Sequence, residues 1–201
     1  MLDVIEKVLY INLDEREDRR ASIENELSIF SKDRVVRISA IKHRNGLIGC
    51  AMSHILALEM AIENNWKNVL IVEDDMKWHR FDEGIKIFDK LVANPYDVIC
   101  LGGACVQYEP ETYRAKYVST TTSYLVNNHY FATLLANLKE GVIKLTEDEE
   151  KHSSYALDRN WLSLLHTHKW FVIQPTMCVQ APGYSNIVNN FVNYYPQFGV
   201  Y

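Results

Sequence analysis

Three consecutive carboxylates, Glu73, Asp74 and Asp75, follow an apolar run in the stretch NVLIVEDDMKW (68–78). Packed carboxylates repel one another, so a site that gathers three of them usually gathers a cation too. Hard oxygen ligands of this kind suit Mg²⁺ or Mn²⁺. The chemistry such a cation serves is binding of a nucleotide diphosphate, where it bridges a carboxylate and the phosphates and neutralises charge as the diphosphate departs. The plainer alternative is a solvated strand end whose acids cap the next helix.

Other phosphate-binding and hydrolytic signatures are missing. The chain contains no G-x-x-x-x-G-K-[ST] loop, no G-x-G-x-x-G after its first apolar run and no G-x-S-x-G elbow. Gly102-Gly103 reads as a turn. His166 and His168 form an H-x-H pair with no cysteine or third histidine nearby in sequence, which disfavours zinc. The four cysteines, at 50, 100, 105 and 178, show no C-x-x-C spacing and lie in or beside apolar runs. They are expected to be reduced and buried, which points to the cytoplasm. Net charge is −5, so nucleic acid is an unfavourable partner and an anionic substrate must be met by local Arg, Lys or a metal. The N-terminal residues carry early acids and no long apolar run, which predicts no secretory signal. No run matches an uninterrupted membrane span, so any membrane work is expected to be peripheral.

Elements must position the acids. In 201 residues, the apolar segments 7–13, 34–41, 68–72 and 96–101 read as strands. Between them, 18–30, 48–64 and the segment around Ile85, Phe88 and Leu91 carry helical periodicity. This alternation predicts an α/β fold with a mostly parallel sheet and helices on both faces, in a single domain over 1–201. Ligands of such sheets bind beyond the carboxyl ends of strands. Both the acid triplet and the segment from Asn12 to Arg16 lie at such ends. Further on, 119–126 reads as a strand, 129–138 and 155–165 as helices, and 138–154 as a surface loop or flap. The Asn- and Tyr-rich tail is expected to fold over a site or to pair with another subunit.

Several of these segments together resemble glycosyltransferase family 25, the lipooligosaccharide and collagen galactosyltransferase-like enzymes. They are VLYINLDEREDRR (8–20), GLIGCAMSHILALEMAIENNWKNVLIVEDD (46–75), TSYLVNNHYFATLL (122–135), ALDRNW (156–161) and QPTMCVQAPGYSNI (174–187). The resemblance implies a GT-A-like, Rossmann-type fold. It also implies a UDP-sugar donor carrying galactose or glucose, transfer with inversion, and a Mn²⁺ or Mg²⁺ ion. The triplet is similar to the Glu-Asp-Asp form of the Asp-x-Asp motif. By that analogy Asp75 is the metal ligand, and Glu73 and Asp74 contact the donor. One departure stands out: the pattern Ser-Asp-Ile is here Ser185-Asn186-Ile187. Asn is a weaker ligand for a hard cation.

Candidate roles for the other residues rest on their position and side-chain chemistry. Inverting transfer needs a base for the acceptor hydroxyl proton, and Asp158 is the candidate; otherwise it caps or ion-pairs its helix. Asn12 is a candidate for reading uracil or ribose, and Arg16 or Arg19 for holding phosphate, since a guanidinium fits it bidentately. The alternative for these arginines is ion pairing with Asp14, Glu15 and Asp18. Ser53 and His54 lie near the start of a helix that faces the crevice. Gln180 and Ser185 are candidates to close the donor pocket. The acceptor is a glycan, a lipid-linked sugar or a hydroxylysine-type group, and nothing in the sequence selects among them. Two other functions share the same residues: a nucleotide-sugar-binding protein with impaired catalysis, and a metal-dependent UDP-sugar hydrolase. A homo-oligomer is compatible with all three.

Overall fold

The computed structural model describes residues 2–147 and 153–200. Its spine is a six-stranded sheet. In chain order its strands are β1 (Lys7–Asn12), β2 (Val35–Ser39), β3 (Asn68–Glu73), β5 (Val98–Tyr108), β6 (Ala115–Asn127) and β7 (Trp170–Val172). Their spatial order is β2-β1-β3-β6-β5-β7. β1 pairs in parallel with β2 and β3, and β5 with β7, while β6 runs antiparallel between β3 and β5. The sheet is therefore mostly parallel, as its alternating helices require, with one reversed strand supplied by the β5–β6 hairpin.

Side-chain alternation divides the core between the two faces. On β1, Leu9 and Ile11 join the cluster beneath helices α2 (Gly46–Glu63) and α4 (Phe131–Glu147), with Leu58, Leu134 and Trp161. Val8 and Tyr10 point the other way, toward helices α1 (Glu17–Glu26) and α3 (Phe81–Val92), with Ile23, Ile85 and Phe88. On β3 the same split separates Val69 and Ile71 from Leu70 and Val72. A strand covered on both faces reads as a continuous apolar run, which is why 68–72 shows no polar alternation.

Helix α2 starts where its cap dictates. The Asn45 side chain accepts a hydrogen bond from the Leu47 N–H at 3.0 Å, which satisfies one free donor of the first turn. This helix has the length and mean hydropathy, 1.4, of a membrane span. Here that apolar surface packs between the sheet and α4, with Ala57, Leu58 and Ala61 fully buried.

Three expectations change. The strand expected to stop at Gly102-Gly103 runs on to Tyr108 and forms a long hairpin with β6. The glycine there answers a steric need instead: a Cβ on Gly102 would lie 2.7 Å from the Cys178 carbonyl oxygen. The segment expected as a loop from 138 is helical as far as Glu147, because Leu138 and Leu145 continue the buried face of α4; residues 148–152 lie outside the described residues. The helix expected over 155–165 is two single turns, α5 (Leu157–Asn160) and α6 (Leu162–Leu165).

After β7 the chain forms β8 (Cys178–Gln180), which pairs with the short β4 (Met76–Trp78) that follows the acid triplet. The tail then makes a hairpin of β9 (Gly183–Ser185) and β10 (Asn190–Val192). Phe198 anchors the end of the tail against Ala104 and Val179.

Trp161 joins the sheet to the α5–α6 segment. Its ring meets Tyr124 and Trp170 edge-on at 5.5 and 5.2 Å, and its indole N–H donates to the Val118 carbonyl at 3.2 Å. Trp161→Ala should cost about 3–5 kcal/mol in urea denaturation. A loss below about 1 kcal/mol would mean this segment is not anchored by the core.

Candidate active site

Glu73 is the last residue of β3, and the sheet topology decides what surrounds it. Parallel pairing sets Ile11 of β1 beside it, and antiparallel β6 brings Thr121 alongside from the other direction. The Glu73 carboxylate accepts hydrogen bonds from Gln180 Nε2 at 2.6 Å and from the Thr121 hydroxyl. His54 Nε2 lies 3.5 Å from Glu73 Oε1, and His54 Nδ1 is 2.7 Å from the Tyr124 hydroxyl. Burial alone would push the Glu73 pKa up, but His54, Thr121 and Gln180 outweigh it and hold the group below its ordinary value.

Asp74 and Asp75 occupy the turn between β3 and β4. Asp74 accepts from Asn12 Nδ2 at 2.8 Å and from Arg19 at 2.9 Å. The same guanidinium reaches Asp75 Oδ2 at 3.1 Å. Burial raises the Asp74 pKa despite Arg19. Burial, with the Glu73 charge next in weight, raises that of Asp75 to about 7. The second oxygen of Asp75, Oδ1, is buried and has no hydrogen-bond partner among the described residues. A buried, unpaired carboxylate oxygen beside two further acids and a single guanidinium is a donor set suited to a hard divalent cation.

These groups line a cavity of about 630 Å³. Its walls come from the start of α2, the end of β3, the β5–β6 hairpin, α5 and the tail. Arg16, Arg19, Lys42 and Arg44 contribute positive charge to its lining. Asp158, in the first turn of α5, borders the same cavity and accepts from the Thr120 N–H at 2.9 Å. Burial raises its pKa, with Thr120 opposing. Thr120 itself has φ +67°, a strained conformation for a β-branched residue, at the register break between β5 and β6. The tail does fold over this site, with Asn186, Ile187 and Tyr194 in the lining.

The remaining candidates have distinct positions. Asn12 is buried behind Asp74, and its side-chain oxygen accepts from Arg37 at 3.2 Å, so it orients the acid from behind. Arg16 forms a two-bond pair with Asp18 and also donates to the Tyr184 carbonyl at 3.3 Å and to Asn186 Oδ1 at 3.1 Å. Arg19 donates to the same Tyr184 carbonyl at 3.0 Å. Both arginines thus tie α1 to the tail, and Asn186 serves as one of the tethers. Ser53 lines the cavity, but its hydroxyl donates to the Gly49 carbonyl and accepts from the Ile41 N–H. Ser185 Oγ faces the N–H groups of Ile187 and Val188 in its own turn.

Sequence reasoning missed Thr121, Arg37 and Cys50. Thr121 and Arg37 carry no local signal, because their roles exist only once the strands pair. Cys50 did carry one: it precedes His54 by four residues on a helix, which puts both on one face. Its thiol pKa is pushed well above the ordinary value, by burial first and then by the charges of Glu73 and Asp158.

The sequence model of Glycosyltransferase family 25 (LPS biosynthesis protein) matches residues 44–166, more than half of the chain. The chain belongs to glycosyltransferase family 25. As a member of that family it is a glycosyltransferase, and the matched stretch holds α2, the acid triplet, Thr121 and Asp158. No curated protein sequence matches it. A glycosyltransferase involved in the glycosylation of the major capsid of PBCV-1 has a similar fold, with TM-score 0.56 at 10% identity over 87% of this chain and 92% of that one. A mannose-1-phosphate geranyltransferase from Thermus thermophilus aligns with TM-score 0.49 at 9% identity, over 84% of this chain and 73% of that one. The GT-A-like architecture implied by the sequence is the one observed.

Folding binds a proton at Asp75 more tightly than the unfolded chain does, so its contribution to stability falls as pH rises from about 4 to about 7. In EDTA at pH 8, Asp75→Asn should therefore be more stable than the wild type by about 2–4 kcal/mol, with the gain shrinking toward pH 5. Urea denaturation across pH checks this. A variant less stable than wild type at pH 8 would show that Asp75 is not a strained, buried charge.

Proposed function

We propose that this glycosyltransferase moves a hexose, galactose or glucose, from a UDP-sugar to an acceptor hydroxyl, with inversion at the anomeric carbon and dependence on Mn²⁺ or Mg²⁺. The observation that carries the reading is Asp75 Oδ1: buried, unpaired, and on the wall of the cavity that Asp158 also borders. Asp75 would hold the cation. The chemistry a divalent cation supplies there is neutralisation of the charge on the departing diphosphate.

The chain's own residues account for the rest. Arg16, Arg19, Lys42 and Arg44 give the cavity positive charge for an anionic donor, although the molecule as a whole carries −5. Asn12 and Arg19 fix the Asp74 carboxylate, while Thr121, Gln180 and His54 fix Glu73, so both acids are held in place before a donor binds and would contact its hydroxyls through their remaining lone pairs. Asp158 takes the proton of the acceptor hydroxyl as that oxygen bonds to the anomeric carbon and the bond to the diphosphate breaks. Its raised pKa makes it a stronger base than a solvated carboxylate. The acceptor is a glycan, a lipid-linked sugar or a hydroxylysine-type group. Four free cysteines fit work in the reducing cytoplasm, at a membrane surface if the acceptor is lipid-linked.

Release of UDP from a panel of UDP- and GDP-sugars, with Mn²⁺ or with EDTA, tests the reading. Wild type should turn over a UDP-sugar only with the metal, and Asp75→Ala should reduce the rate by about a thousandfold or more. Equal turnover in EDTA would refute metal dependence. Fast release without any acceptor would favour a hydrolase, and UDP binding without turnover a protein with impaired catalysis. Asp158→Asn should bind UDP normally yet lower kcat by about 10²–10⁴-fold; an unchanged kcat would remove Asp158 from the base role.

A further inference from the structure

The cavity lining holds a second group of potential ligands, in which Cys50, idle in the proposed reaction, joins His54 and Glu73. Cys50 Sγ, His54 and a Glu73 carboxylate oxygen all lie within 4.8 Å of one another. Cys50 and His54 come from successive turns of α2, and Glu73 from the end of β3. His54 is fully buried, and among the described residues its Nε2 has no hydrogen-bond partner, lying 3.5 Å from Glu73 Oε1. The buried ring nitrogen thus faces the Glu73 carboxylate across an ion contact too long for a good hydrogen bond, and a cation between the two would satisfy both.

We infer that Cys50, His54 and Glu73 form a binding site for a thiophilic divalent cation of the Zn²⁺ class, distinct from the hard-cation position at Asp75. Two ligands about 2.0–2.1 Å from a tetrahedral Zn²⁺ stand about 3.3 Å apart, and the His54–Glu73 separation is already close to that. The Cys50 sulfur closes the remaining gap by a rotamer change, since it sits one turn before His54 on the same helix face. The Tyr124 hydroxyl, 2.7 Å from Nδ1, fixes the ring and can accept the Nδ1 proton, so that Nε2 can exchange its contact with Glu73 for a cation set between the two. All three residues line the cavity, so the fourth coordination position opens into it. Thiolate and imidazole select Zn²⁺ or Co²⁺ over Mg²⁺ and Mn²⁺, and that difference in softness separates the two sites. The negative field of Glu73, Asp75 and Asp158, which disfavours a bare thiolate at Cys50, attracts a dication there.

Co²⁺ reports thiolate ligation by a charge-transfer absorption band, independently of any transferase activity. Purified chain titrated with Co²⁺ should develop this band at one equivalent, and Zn²⁺ should displace it. Cys50→Ser should lose the band, and Glu73→Gln, which keeps the shape of the side chain, should weaken Zn²⁺ binding by about a hundredfold. Asp75→Ala should keep the band, even where it abolishes sugar transfer. Failure of the transfer assay therefore leaves this result readable. The inference is overturned if wild type shows no band, if Cys50→Ser retains it, or if Asp75→Ala loses it, which would mean one shared site at the acid triplet. Should Cys50→Ser fail to fold, unchanged Zn²⁺ affinity in Glu73→Gln overturns it equally.

Discussion

Three adjacent carboxylates at one strand end, one buried and two partly buried, repel each other and lose hydration together, and much of the site is an answer to that constraint. Each acid is managed differently. Glu73 is held ionised by hydroxyl, amide and imidazole groups. Asp74 is clamped between an amide and a guanidinium. Asp75 shares that guanidinium, keeps one oxygen unpaired and has its pKa pushed to about 7. Charge compensation is thus nearly complete at the first acid and incomplete at the third. A site that withholds a partner from one buried oxygen stores electrostatic free energy that a cation can release.

The sheet topology makes this arrangement possible. Parallel β1 brings Asn12 beside the acids, and the reversed β6 runs its early residues past the same point, delivering Thr121 and the strained Thr120 that holds Asp158. An all-parallel sheet would place the start of that strand at the opposite edge. The tail completes the enclosure through Arg16 and Arg19, whose hydrogen bonds to the Tyr184 carbonyl join the first helix to the hairpin over the cavity. One guanidinium, that of Arg19, thus pairs with Asp74 and Asp75 and also holds the tail.

Much of this was legible in the sequence because it is local. The apolar run into Glu73-Asp74-Asp75 announced a strand end, and the periodicity of 48–64 announced α2. The reversal of β6 was not legible, since strand direction depends on which partner a strand finds. Gly102-Gly103 misled for a similar reason: glycine marks either a turn or a close approach, and here β8 passes too near for a side chain. Helix α4 extends beyond 138 because Gly141 and Leu145 face the core, although the segment's lysines and glutamates suggested a loop. Within the site, Asn12 read as a nucleotide contact but sits behind Asp74, a second-layer position that a strand-end Asn does not reveal. Asn186, a weaker ligand for a hard cation than the Asp of the resembled pattern, lines the cavity and accepts a hydrogen bond from Arg16, a contact that its position in the sequence does not reveal.

The central claim is that the unpaired oxygen of Asp75 binds the cation that meets the donor diphosphate. Anomalous diffraction at the manganese edge, from crystals grown with Mn²⁺ and UDP, addresses it directly. The account predicts a peak about 2.1 Å from Asp75 Oδ1, bonded also to diphosphate oxygens, and absent in Asp75→Ala. Ordered UDP in the cavity with no peak at Asp75 would contradict it.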